Sequence, residues 1–589
     1  MKKPFYKRIW FVLLASLLVL LVLAFIIVKA QLSHFVEQEI RYQLTKNPQR
    51  LYSIDFEKFR FHPLKGEILL KNASVAPRQH ILDSLKAINL HPNSLAQVSV
   101  KDIHLYGIDF KSLLLERIVM IKSVEVDKPE IDLDLFQKID SSKTDSTIDL
   151  KQSLHELSSV LHNSTIEGIS IKEGRVSVNH WKHPGEVWLS LQNFNLSISD
   201  FKFDSSGSNY PMNLEQLNIK VGEITNNTSP FHSIQIRDVE LNNRDSTLQI
   251  GEFSYLPKTK KDEFFKAQTF QKPWITVRTK KMKVSGFNLN PLLYDQKIEI
   301  EKIKIEEPRI DIHMNKNLPI DFKKKRVFLS RLVRNIPIDV EVGLLELGNG
   351  HLAYEQQNPG KNKTGTLTLG NFFASLFHIG NTPTYLKKHP TMELTVQAQL
   401  FEKITLRGNV AFDMHSENDA FNLVAKLSSG KMKTFNSMLL PMAGVNIEEG
   451  KLNNGHIKLR GNKYRMWGTL ELDYKDAKIE FLGKEQTTSF KNQLISFAAN
   501  TVIRSSNKPN TSGYQVGLMN FEKKPEYSFV SFLWNTIQEG LFDVLIGSHN
   551  SPNDIKNIGP KHQTHHMKKQ EQVEKKSLRK KAKTKRRNS

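Results

Sequence analysis
Two stretches of this chain repeat one another at a shift of 179 positions, so any fold it adopts uses the repeated unit twice. The first reads IVMIKSVEVDKPEIDL at 118–133 and the second KIEIEKIKIEEPRIDI at 297–312. Val124 falls on Ile303, Val126 on Ile305, Pro129 on Pro308, Ile131 on Ile310 and Asp132 on Asp311. Upstream, Ile103, Leu105 and Gly107 fall on Met282, Val284 and Gly286. Downstream, Ile169, Ile171, Gly174 and Val176 meet Leu345, Leu347, Gly350 and Leu352 at a shift of 176. Leu189, Asn193 and Phe194 then meet Leu367, Asn371 and Phe372 at a shift of 178. Two copies therefore cover about 103–196 and 282–376. Collinear matching of Gly, Pro and Asn positions separates this from the chance likeness of any two alternating strands.

Within and around the copies, apolar residues recur at every second position, the spacing of a half-buried strand. The pattern predicts a mainly β chain. It is an elongated, repetitive antiparallel β-sheet, groove or sandwich-like, with short helices, following one N-terminal transmembrane helix. The slip between Ile300 and Ile303 predicts a bulge, and Gly348-Asn349-Gly350 reads as a turn. Leu154, Leu157 and Leu161 predict a helix in the first copy, and Leu329, Leu332 and Ile336 its counterpart in the second. The apolar face either closes against a second sheet or lines an open groove, and periodicity does not separate the two.

Residues 9–28 run from Ile9 and Trp10 to Val28 without a charge, about 30 Å of helix and enough to cross a bilayer. Lys2, Lys3, Lys7 and Arg8 precede them, which places the N-terminus in the cytoplasm and the bulk of the chain across the membrane. At the other end, 489–502 and 527–546 have helical spacing. In the latter, Phe529, Leu533, Ile537 and Leu541 form a stripe widened by Trp534, and it either docks on the sheet or lies on a membrane surface. Of the net charge of +23, residues 561–589 supply +10 in a low-complexity tail.

The expected division is a basic N-terminus 1–8, a membrane helix 9–28 and a helical extension 29–48. A β-rich region 52–280 holds the first copy, and another, 281–485, the second. Helical segments at 486–550 and a disordered basic tail at 551–589 follow.

The chain has no cysteine, which excludes disulfides, thiolate metal sites and cysteine nucleophiles. It carries no H-E-x-x-H, G-x-S-x-G, Walker A or post-strand G-x-G-x-x-G pattern. Asp132 and Asp134 do not recur as a carboxylate pair, since the second copy has Asp311 and then His313. The reading is of a non-enzyme with no catalytic residues, cofactor or metal.

A basic N-terminus, one membrane helix and a long series of such strands resemble the AsmA-like family of envelope proteins, related to TamB. The resemblance is strongest in LKGEILLKNASVAP (64–77), SLKAINLHPNSLAQVSVKDIHLYGIDF (84–110) and the stretch 439–482. With 497–504 and 532–547 it looks like a Bacteroidetes-type member. It covers most of 1–547 and carries no active-site motif. It implies an inner-membrane-anchored, single-pass periplasmic protein that handles phospholipid along an apolar sheet face and supports outer-membrane biogenesis. Val124, Val126, Ile131, Ile303, Ile305 and Ile310 are the candidate lipid-facing residues. The alternative is an assembly factor whose sheet edges and basic tail bind envelope proteins or anionic polymers. Nucleic acid is not expected as a partner.

Overall fold
The computed structural model describes residues 51–546 apart from 136–163, 203–215, 482–502 and several shorter stretches. The expected anchor, its extension, the helix of Leu154, the helix at 489–502 and the basic tail lie outside the described residues.

Among the described residues, 23 strands form one sheet. Most pair with their neighbours in chain order. Tyr52–Asp55 and Lys58–His62 both lie on Glu67–Pro77, and Gly517–Glu522 forms the opposite end on Arg465–Phe481. Two places depart from the expected antiparallel order. Val119–Leu135 runs parallel to Ser164–His180, and Lys297–Glu306 and Arg309–Asn315 both run parallel to Asp339–Gln357. These are the same step in each copy. Parallel neighbours need a crossover rather than a hairpin, and here the crossovers are 136–163 and 316–338.

The second crossover contains the predicted helix, at Leu329–Arg334. Its buried face differs from the expected trio. Phe328, Ser330 and Val333 are buried, whereas Leu332 is 53% exposed. The reason is an ionic anchor on the other elements. Arg331 Nε donates to both oxygens of Asp419, at 3.1 and 2.8 Å. Arg334 bonds the same carboxylate and also the carbonyls of Met414 and Ser416. Asp419 is 1% exposed, so this pairing holds the crossover to the hairpin that Asp413 and Phe421 flank.

The register repeats as the sequence does. Ile103 pairs Val126 and Leu105 pairs Val124, as Met282 pairs Ile305 and Val284 pairs Ile303. The backbone exceptions repeat too. Left-handed residues at Lys128, Glu173 and Asn193 (φ 49, 51 and 53) match Glu307, Asn349 and Asn371 (φ 48, 54 and 44). Gly348-Asn349-Gly350 is therefore not a turn between strands but a bulge inside Asp339–Gln357, where the pairing shifts between Leu347 and Gly350. The ring of Phe372 covers Gly350, and an added Cβ there would lie 2.3 Å from Phe372 Cζ. The slip between Ile300 and Ile303 is handled differently. The register to both neighbours is the same at Ile300 and at Lys302, with only Glu301 between them left unpaired, so no strand gains an extra residue. On the adjoining strand Gly286, at φ 65, leaves room for Glu301, whose Cγ is 2.3 Å from where a Cβ would stand.

Removing the shared partner of Arg331 and Arg334 tests the ionic anchor. Asp419→Ala is expected to cost about 3 kcal/mol, the usual loss when one member of a buried ion pair is deleted. The exposed Val424→Ala serves as control and should stay within about 0.5 kcal/mol. Denaturant unfolding of the full chain in detergent, with equal midpoints for the two variants, would count against the anchor.

Candidate functional site
Directly paired residues on neighbouring strands point to the same face, so register identifies the sheet's lining. Starting at Phe59, the pairing runs through Leu70, Ile103, Val126, Ile171, Leu196, Ile219 and Leu241. It continues through Leu248, Val284, Ile303, Leu345, Leu376 and Leu394. It ends in Val410, Leu423, Leu459, Gly468 and Met519. One ladder of apolar side chains thus crosses the sheet from its first strands to its last, broken only by a glycine. The opposite face carries the charges, as cross-strand pairs. Glu125 to Lys172 and Glu346 to Lys302 are examples, at 3.1 and 2.6 Å. Such exposed pairs contribute at most about 1 kcal/mol each and chiefly keep that face in water.

The ladder is covered unevenly. Val124, Val126 and Ile131 are 2%, 1% and 3% exposed and belong to a core extending from Phe56 to Tyr294. Their counterparts Ile303, Ile305 and Ile310 are only half-buried. So are their row neighbours Leu248, Leu345, Leu347, Leu376 and Leu394. Beyond them a second core takes over, from Phe328 to Val544. The six candidate residues therefore lie on one apolar lining in two settings, closed in the first copy and partly open in the second. Sequence spacing marked these strands as apolar on one side. It missed the row partners Leu376 and Leu394, because their membership depends on register.

The C-terminal end is sealed by the helix Phe529–Ile546, which docks on the last two strands. Its covered side centres on Phe532, Thr536, Gly540 and Val544, while Phe529, Leu533, Trp534, Ile537 and Leu541 are half-buried beside it. The offset has a polar cause. Gly517–Glu522 is an edge strand whose outward N–H groups need acceptors. Leu518 N–H donates to Asp543 Oδ2 at 2.8 Å, and Asn520 N–H to Glu539 Oε2 at 2.9 Å. The helix turns its carboxylates, rather than the centre of its apolar stripe, to the sheet edge. No helix among the described residues is long and apolar enough to cross a membrane.

Burial pushes the Glu539 carboxyl above the ordinary carboxylate range, against the opposing pull of the Asn520 N–H and Arg465. The folded state thus holds this proton more tightly than the unfolded chain. Its contribution to stability is greatest at low pH and is lost as pH rises from the ordinary carboxylate value through the raised one. Glu539→Gln keeps an acceptor for Asn520 and removes the ionisation. Melting curves of the full chain at about pH 4.5 and about pH 7.5 should show the variant gaining stability relative to the wild type as pH rises. An unchanged difference would contradict the assignment. Compared with known proteins, the chain matches no family model and no curated protein.

Proposed function
We propose that this chain is a membrane-anchored envelope protein that holds or transfers lipid along the apolar face of its sheet, in the manner the AsmA-like resemblance implies. In this reading residues 9–28 anchor it in an inner membrane and the sheet stands on the periplasmic side. The observation that carries the proposal is a run of half-buried ladder residues in the second copy, Ile303, Leu345, Leu376 and Leu394, with Ile305 in the next row, between buried Val284 and Val410. These residues flank the two cores, Ile303 beside the first and Leu376 and Leu394 beside the second, without being closed over as the cores are, and a partly uncovered apolar run of this kind suits an interaction surface.

The dimensions suit an acyl chain. Six successive strand positions, from Thr247–Pro257 to Thr391–Leu400, span about 24 Å at about 4.8 Å per step. That exceeds the roughly 15 Å depth of one leaflet's hydrocarbon. Each sheltered methylene is worth about 0.8 kcal/mol, so ten give about 8 kcal/mol, while a head group stays in water. The rival reading, binding of envelope proteins by sheet edges, is weakened at one end, where Asp543 and Glu539 occupy the outward N–H groups of Leu518 and Asn520.

The two copies supply the test. Ile303→Asp with Ile305→Asp places charges on the half-open lining and is expected to leave the protein folded. Extraction and mass spectrometry of the purified full chain should show bound phospholipid reduced at least tenfold. Val126→Asp, in the closed copy, is expected to unfold it instead. Undiminished phospholipid on the folded double variant would end the lipid reading.

A further inference from the structure
The charged face contains a cleft of about 400 Å³ in the second copy, with Glu307, Arg309, Asn349, His351, Asn371 and Glu402 among its lining residues. Four of these are left-handed (φ 48, 54, 44 and 62): Glu307 in the break before Arg309–Asn315, Asn349 and Asn371 within their strands, and Glu402 in the turn between Thr391–Leu400 and Ile404–Asp413. The adjoining bulges at Asn349 and Asn371 bend their strands and re-aim their side chains between that break and that turn, which opens the cleft.

Like charges stand opposite one another beside it, as Asp102 and Asp127 do in the first copy, where each acid is bridged by a lysine. Arg278 pairs in register with Arg309, and Arg309 with His351. Like charges directly opposite one another destabilise a sheet. Among the described residues neither guanidinium has a carboxylate within ion-pair distance. The first copy resolves the same row differently. Ser99, Glu130 and Arg175 stand at the matching positions, Ser99 pairs Glu130, and Glu130 lies 3.5 Å from Arg175. Lys128 bridges Glu173 at 3.2 Å beside them. The second copy thus has an arginine in place of the acid, a histidine in place of the arginine that the acid neutralises, and a further arginine in place of the serine.

We propose that this cleft binds an acidic sugar, its carboxylate or phosphate held by Arg309 beside His351, with Arg278, outside the lining but paired in register with Arg309, adding positive charge. An anion supplies the missing counter-charge, and guanidinium is the group best shaped to hold it in two bonds. The rest of the lining argues against a bare anion. Glu307 is engaged by Lys280 at 2.7 Å, while Glu402, Asn349 and Asn371 are exposed and offer acceptors and amide donors suited to hydroxyl groups. A ligand with one anionic end and several hydroxyls satisfies both sides. The site lies on the face opposite the apolar lining, so it is independent of the lipid reading.

Calorimetric titration of the full chain in detergent tests it, with glucuronate, glucose 6-phosphate, glucose and inorganic phosphate as probes. At least one acidic sugar is expected to bind at least tenfold more tightly than glucose or phosphate. Arg309→Glu and Arg278→Ser, which install the other copy's residues, should each weaken that binding at least tenfold without lowering the melting temperature. Ile305→Asp should leave it unchanged. No binding by either acidic sugar, equal binding of glucose or phosphate, or full affinity in folded Arg309→Glu would overturn the proposal.

Discussion
Everything in this molecule depends on strand register. A sheet face is apolar only while each strand meets its neighbour in phase, since a slip of one residue exchanges the two faces. Here the phase holds from Phe59 to Met519. It does so despite irregular backbone, because the irregularities are themselves aligned. Lys128, Glu173 and Asn193 bend together in one copy, and Glu307, Asn349 and Asn371 in the other. A bulge confined to one strand would disturb the ladder, whereas one shared by neighbours bends the sheet and leaves the ladder intact.

The same register also explains why duplicated units differ in use. Val126 and Ile305 occupy equivalent places, yet the first is sealed in a core and the second is half-uncovered. On the reverse face, Glu130 and Arg175 neutralise each other, while Arg309 faces Arg278 and His351. Duplication copied the backbone plan, and the side chains of the second copy departed from it on both faces. Each departure gives up a stabilising arrangement that the first copy keeps.

Much of this was readable from residue order. The repeat, the mainly β character, the crossover helix and the terminal helix follow from spacing and from matching Gly and Pro positions. The parallel steps were not readable, since alternation is the same whichever way a neighbour runs. Gly348-Asn349-Gly350 has turn composition, and only pairing shows it to be a bulge. The terminal helix was found, but its docked face was not. An apolar stripe points to Phe529 and Leu533, whereas the acceptors required by Leu518 and Asn520 rotate the helix toward Thr536 and Asp543. The row Arg278, Arg309 and His351 spans positions 278–351, so no local pattern reveals it. Setting Arg309 against Glu130 at the repeat shift shows the reversal of charge, although pairing is needed to give it meaning.

The carboxylate-capped edge bears on how such a protein changes size. A sheet whose last strand has its N–H groups satisfied by its own helix offers no template there for a further strand from another chain. Stacking of copies end to end is blocked at that terminus. At that end, lengthening the sheet takes a change within the chain, such as another strand, crossover and strand unit, rather than the addition of a second copy.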